Sequence, residues 1–259
     1  MEKKKSVQAK KIVPVIVGPT GSGKTGVGIE IARTLGLYFS PTEIISADSR
    51  TIYKGMDIGT AKPSLEERGG VEHWGFDLVE PDERFTVADW KGYARGKIGE
   101  IEARGGTAMV VGGTGLYVDA LIYDYQFSAS VQKSCSDREK MCSKYKVFGI
   151  MWRPEELRAR LTERASKMFT QELFEETIRL VENYGWDNQA MKSNIYQFAW
   201  GYMRGEYSLE RAIELNVFDD WHLAKRQMTW FKRNKNITWL PLEKVKPAVI
   251  KCVQNEQGK

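Results

Sequence analysis

One stretch limits the possible folds of this chain more than any other: Ile12-Val-Pro-Val-Ile-Val17 followed by Gly18-Pro-Thr20-Gly21-Ser22-Gly23-Lys24-Thr25. The apolar run is short and rich in β-branched residues, as a buried strand is. After it comes the spacing G-x-x-x-x-G-K-T, and then a segment from Lys24 to Leu35 that reads as a helix ending at Gly36. A glycine loop between strand and helix lets backbone N–H groups point inward at phosphate oxygens. The helix N-terminus adds partial positive charge, Lys24 adds a full one, and the Thr25 hydroxyl can hold Mg²⁺. Gly18, Thr20, Gly21, Ser22, Gly23, Lys24 and Thr25 are therefore candidate phosphate-binding residues. The pattern says that phosphates bind. It does not say that they belong to a nucleotide.

The rest of the chain continues the alternation. "EIIS" before Ala47-Asp48 reads as a second strand. Residues 86–106 read as a helix, with Thr86 and Asp89 as a capping pair and Gly105-Gly106 as its stop. "TAMVVGG" and "KVFGIMW" read as third and fourth strands. Arg153-Pro154 opens one long helix expected to run to Gly185, and Ser208 caps a last helix running into a basic segment. The tail beyond Val249 is expected to fray. The fold class is α/β: a parallel sheet of the P-loop NTPase type flanked by helices, with a largely helical C-terminal part. The expected organisation is a first part of the core (1–125), a polar segment (126–144) that is a loop or one short helix, and the remainder of the core with a basic helical end (145–259).

Composition narrows the class. Apolar residues make up 42% of the 259 residues and charged residues 28%, an ordinary water-soluble balance with enough apolar content for one large domain. The basic start is followed by too short an apolar run for a leader or membrane span. Cys135, Cys142 and Cys252 have no metal-ligand spacing and form an odd set, so a reducing cytoplasm is expected. The net charge of +5 says little, but its distribution says more: His222 to Lys246 carries seven Lys or Arg against the single acid Glu243, interleaved with Trp230, Phe231 and Trp239. Such a segment fits a solvated helix face. It equally fits a surface that attracts a phosphate backbone and stacks on bases.

Many chains with this loop transfer a γ-phosphate, and they commonly end a strand in an aspartate that helps hold the metal. Here the third strand ends in "GGTGLY", without an acid, while the second ends in "ISADSR" with Asp48. One carboxylate close to the phosphate site could touch a metal or take a proton from an acceptor, and spacing does not choose between them.

At this point the motifs resemble a known family, the tRNA dimethylallyltransferases, also called tRNA isopentenyltransferases. "GPTGSGKT", "SADSRTIYKGMDIGTAKPS", "VVGGTGLYVDAL", "RPEELRARLTERASKM" and "AKRQMTWFKR" are similar to its motifs and occur in family order over most of the chain. The resemblance implies transfer of a dimethylallyl group from dimethylallyl diphosphate to N6 of adenosine 37, in the anticodon stem-loop of tRNA. The loop would then hold the diphosphate leaving group, with Mg²⁺ on Thr25 as cofactor. It implies Asp48 as general base, Thr114 as the hydroxyl that orients the amine or the allylic oxygen, and Lys24 as charge stabiliser. Arg160 and Arg164, one helical turn apart, are candidates to close over the diphosphate. Ser49, Arg50 and Thr51 would meet the flipped nucleotide, and Lys192, Tyr196, Lys225, Arg226, Lys232 and Arg233 the rest of the RNA. His73, in "VEHWGFDL", falls where the family has a His-containing motif, in a structural or a functional role.

Two departures qualify the resemblance. The helical insertion that family members usually carry after the third motif is reduced here to residues 126–144. "SNIYQFAWGYM" replaces a segment in which a basic RNA contact would fall at Gln197. The alternatives are prenylation of a free adenine nucleotide, a P-loop kinase or ATPase, and an RNA-binding remnant without catalysis. A monomer is expected.

Overall fold

The computed structural model describes residues 12–128, 131–132, 141–188, 190–191 and 195–257. Strand β1 (Val13–Val17) leads through the glycine loop into helix α1 (Lys24–Tyr38), β2 (Thr42–Ser46), α2 (Leu65–Arg68) and β3 (His73–Trp74). Helix α3 (Val87–Ala103), β4 (Thr107–Gly112) and α4 (Gly115–Ile122) follow. Two-residue strands β5 (Phe127–Ser128) and β6 (Val131–Gln132) form a small antiparallel hairpin. Then come β7 (Tyr145–Met151), α5 (Pro154–Met168), α6 (Gln171–Tyr184), α7 (Ile195–Met203), α8 (Leu209–Phe231), β8 (Thr238–Pro241) and α9 (Leu242–Gln257).

Six strands pair in the order β3-β2-β4-β1-β7-β8, every pair parallel. Side chains alternate along β1 as the pleat requires. Val13, Val15 and Val17 face a core shared with Trp90, Ala94, Ile98 and Ile101 of α3 and with Val118, Leu121 and Ile122 of α4. Ile16 faces the opposite core, built with Ile31 and Leu35 of α1 and Val245, Val249 and Val253 of α9. A third, helical cluster joins Met56, Leu173, Leu180, Tyr196, Ala199 and Ala212.

The four strands, the Thr86–Asp89 capping box and the Ser208 cap stand as the sequence suggests. Other expectations are corrected. Helix α1 runs on through Gly36 to Tyr38, because Gly36 keeps a helical backbone. The long helix from Pro154 is two helices, broken at Phe169 and Thr170. Leu157, Leu161 and Ala165 pack with Val217 and Ala224 of α8, whereas from Phe169 onward the buried residues join the helical cluster, so the chain must change direction. The C-terminal end does not fray beyond Val249: α9 reaches Gln257, held by buried Val249 and Val253. The helix capped by Ser208 runs into the basic segment as expected but is not the last: α8 ends at Phe231, β8 adds an edge strand beside β7, and α9 follows. Within 126–144, the residues 129–130 and 133–140 lie outside the described ones.

The second motif is anchored by a residue the sequence does not advertise. Glu176 of α6 is 3% exposed and accepts the N–H groups of Asp57 (3.1 Å), Ile58 (3.0 Å) and Gly59 (3.0 Å) and the Tyr196 hydroxyl (2.6 Å). Gly59 packs against the Tyr196 ring so closely that a Cβ there would come within 2.2 Å of it. This carboxylate thus closes the loop after Asp48 onto the helical cluster. Glu176→Ala leaves three backbone donors and a tyrosine hydroxyl without their acceptor. It is expected to cost roughly 3 kcal/mol or more, read as a lower urea midpoint at unchanged slope; a loss below about 0.5 kcal/mol would contradict the anchor.

Candidate active site

The glycine loop takes its shape from two left-handed residues, Gly21 (φ 72°) and Gly23 (φ 84°), a conformation that a side chain would strain. Gly23 caps α1, so the first-turn N–H groups of that helix, which have no intrahelical acceptors, open toward the same side as the loop. The loop's own carbonyls are taken up elsewhere. Lys24 Nζ donates to Pro19 O at 2.7 Å, Trp152 Nε1 to Ser22 O at 3.0 Å, and Arg160 Nε to Gly21 O at 2.9 Å. The Arg160 guanidinium also lies over the Trp152 ring at 4.6 Å. Arg164 donates to the Thr20 hydroxyl at 2.9 Å, and Thr20 N–H is accepted by Gln227 Oε1 at 2.7 Å. Ser22 Oγ is buried within the loop without a partner.

Asp48 lies two residues past the end of β2. Its Oδ1 accepts the Arg50 N–H at 2.9 Å, a bond that holds the turn after β2, and Asp48 lines the cavity. The end of β4 lies against it: Thr114 N–H donates to Ala47 O at 3.0 Å, and Thr114 Oγ1 accepts Ser49 N–H at 2.9 Å and bonds Ser49 Oγ at 3.2 Å. Only a glycine permits this approach, since a Cβ at Gly112 would come within 2.2 Å of the Ala47 carbonyl.

These pieces share one open cavity of about 810 Å³. Thr20 to Thr25 line it together with Asp48 to Thr51, Thr114, Arg160, Arg164 and Arg226. The charge balance in it is distinctive. Burial pushes the Lys24 ammonium down to about 8, aided by the positive Arg164 and opposed by Asp48. A lysine in that state gains more from an arriving anion than an exposed one would. Asp219 and Asp220 of α8, which sequence reading passed over, line the same cavity, and burial raises the Asp220 carboxyl, with Asp219 adding to the rise and Arg164 opposing it.

The remaining candidates divide sharply. Ser49 and Arg50 are partly exposed at the cavity wall, while Thr51 is 6% exposed and its hydroxyl is hydrogen-bonded with that of Ser46 (3.1 Å). Arg226 lines the cavity. Lys225, Lys232 and Arg233 are exposed on α8 and just past its end, outside it. Tyr196, expected at the RNA surface, is corrected: it has no exposed area, because the helical cluster and Glu176 enclose it. The aromatics of the basic segment are also structural. Phe231 is 1% exposed, Trp230 packs on Gly115 and donates to Asp119 (2.9 Å), and Trp239 packs on Gly149. Lys192 lies outside the described residues. His73 bonds Val71 O through Nδ1 at 2.8 Å, keeps Nε2 buried without a partner, and is held below the usual histidine range by burial. Among the described residues no group of three or more His, Cys, Asp or Glu could hold a metal, and no helix is long and apolar enough to cross a membrane.

The family model described as IPP transferase matches residues 51–144 and 127–234, two pieces that meet at the polar segment. A tRNA dimethylallyltransferase from Acetivibrio thermocellus is 35% identical over an alignment covering 88% of this chain and 91% of that protein. One from Pelotomaculum thermopropionicum is 33% identical, covering 92% and 93%. The former alignment spans 290 residues against 259 in this whole chain, so the relative carries residues within the matched stretch that are missing here. The crystal structure of the full-length tRNA isopentenylpyrophosphate transferase from Bacillus halodurans superposes with a TM-score of 0.80 at 28% identity, covering 96% of this chain and 99% of that one. With a parallel sheet whose strand ends bring a glycine loop and a carboxylate to one cavity, and with these matches over most of its length, the chain belongs to the IPP transferase family.

Proposed function

We propose that this chain transfers the dimethylallyl group of dimethylallyl diphosphate to N6 of adenosine 37 of tRNA, beside the anticodon, releasing diphosphate. The observation that carries the proposal is that a cationic amide cradle and a carboxylate line one cavity. The reaction needs both. The C1–O bond of the allylic diphosphate breaks as the N6–C1 bond forms, and one N6 proton must leave. An exocyclic adenine amine is a weak nucleophile because its lone pair is delocalised into the ring, so a base within reach lowers the barrier. Asp48 takes that proton. Thr114, fixed by Ser49, orients the amine or the departing oxygen.

Negative charge grows on the leaving diphosphate. Loop N–H groups, the α1 N-terminus and Lys24 stabilise it in a partly enclosed site, where such interactions outweigh their value in water. Arg160 and Arg164, already tied to the loop, have further N–H groups for the same oxygens. The site fits Mg²⁺: Thr25 supplies one hydroxyl at the helix start, and this ion is commonly held by few protein oxygens together with phosphates and water. Held there, the ion would supply positive charge to the diphosphate oxygens. The adenine reaches the site by leaving its stack, at a cost of a few kcal/mol that is smaller for a loop base. Ser49 and Arg50 then line its path. Lys225, Arg226, Lys232 and Arg233 track the RNA backbone, and the polar segment 126–144 stands where a larger insertion is lost. The enzyme acts as a monomer in the cytoplasm.

Incubation with dimethylallyl diphosphate, Mg²⁺ and a tRNA carrying A36-A37-A38 is expected to give N6-prenylated adenosine by mass spectrometry. Asp48→Ala is expected to lower kcat by about 10²-fold or more with diphosphate affinity little changed. No product from the unaltered chain, or an Asp48→Ala rate within threefold of it, would contradict the assignment, and AMP outcompeting tRNA as acceptor would move it to the free nucleotide.

Because burial holds Lys24 near 8, its charge is complete below that pH and lost above it. Diphosphate affinity is expected to fall more steeply above pH 8 in the unaltered chain than in Lys24→Arg, whose guanidinium stays charged. Identical pH profiles would remove Lys24 from the cradle.

Lys225→Ala and Lys232→Ala are each expected to flatten the log–log salt dependence of tRNA binding by about one unit, leaving kcat at saturating tRNA within twofold. Unchanged slopes would take α8 out of the RNA surface.

A further inference from the structure

We infer that Gln227 is a positioning residue that ties the leaving-group cradle to the hydroxyl on the acceptor side. It stands on α8, distant in sequence from both of its partners. Its Oε1 accepts the Thr20 N–H at 2.7 Å, and its Nε2 donates to the Gly113 carbonyl at 3.0 Å. These bonds use opposite ends of one amide. Reversing the amide would set NH₂ against N–H and oxygen against oxygen, so its orientation is fixed by the two backbones it joins. Gly113 leaves room for it: a Cβ there would come within 2.5 Å of Nε2.

The chain on each side leads directly to reacting groups. Gly113 precedes Thr114, whose hydroxyl holds the Ser49 N–H next to Asp48. Thr20 opens the tip of the glycine loop, and its own hydroxyl receives Arg164. A shift of the loop on one side of the amide is therefore felt at Thr114 on the other. The same geometry assigns the Thr20 N–H to Gln227, so the diphosphate is held by loop donors other than that one. In "AKRQMTWFKR" the basic and aromatic residues carry the sequence signal, and Gln227 does not. Gln227 is a polar, uncharged member of that stretch and lies on the cavity side of α8 with Leu223 and Arg226.

The inference rests on the diphosphate reading of the loop, and the test separates the two. Gln227→Met keeps the length of the side chain and removes both bonds. Diphosphate affinity is measured by calorimetry, kcat at saturating substrates, and Tm as a control for folding. Diphosphate binding is expected to weaken roughly 3- to 10-fold and kcat to fall by about tenfold or more. In the Thr114→Ala background the same substitution is expected to weaken diphosphate to the same degree but to lower kcat by less than about threefold, because the link ends at Thr114. A purely structural glutamine would lower Tm while its kcat losses multiply with those of Thr114→Ala. That result, or a Gln227→Met enzyme within twofold of the unaltered one in both constants, overturns the inference. An unaltered chain that binds no diphosphate overturns the reading of the loop instead. Gln227→Asn keeps an amide too short to span both backbones and serves for the same comparison if the methionine variant does not fold.

Discussion

Parallel pairing of β4 between β1 and β2 is the constraint on which the site depends. It brings three strand ends to one edge of the sheet, and each end delivers a different function. β1 delivers the glycine loop, β2 delivers Asp48, and β4 delivers Thr114. Ligands in sheets of this kind bind outside the carboxyl ends of the strands, where successive connections leave in opposite directions. Here α1 covers one face and α3 and α4 the other, so the crevice opens at that point. The missing side chain of Gly112 lets the β2 and β4 exits touch, and without it Asp48 and Thr114 would stand apart.

Rigid framing distinguishes this site from a glycine turn alone. Trp152, Arg160, Arg164 and Gln227 each bond the loop from outside. All four come from the C-terminal half of the chain, and the long connection from β7 through α5 to α8 therefore serves the chemistry as well as the core. Glu176 does the same for the second motif by closing the backbone of Asp57 to Gly59 onto α6. Donors and a carboxylate held in place beforehand cost no reorganisation when charge moves, which is what the proposed reaction asks of the site.

Much of this arrangement was legible in the sequence because it rests on local rules. The glycine loop, the four main strands, the Thr86 capping box and the Ser208 cap are each written in a few consecutive residues. What stayed hidden depends on contacts between distant segments. The break at Phe169 and Thr170 follows from a change of packing partner that periodicity does not reveal. The resemblance places Tyr196 at the RNA surface, and only the position of Glu176 and the helices around it shows it to be core. Trp230, Phe231 and Trp239 lie among lysines and arginines, yet they face inward, because the helix and strand carrying them alternate sides within a few residues. Gln227 and the acids Asp219 and Asp220 gave no signal, since a polar residue on a long helix is ordinarily solvated.

The central claim is that the loop holds the leaving group of an alkylation rather than the phosphates of a nucleotide being hydrolysed. The most direct measurement is a crystal structure of this chain soaked with a thio analogue of dimethylallyl diphosphate that cannot ionise. The account predicts the two phosphates against Gly21 to Thr25 and the five-carbon chain running toward Asp48 and Thr114. Phosphates bound elsewhere, or a carbon chain directed away from Asp48, would contradict it.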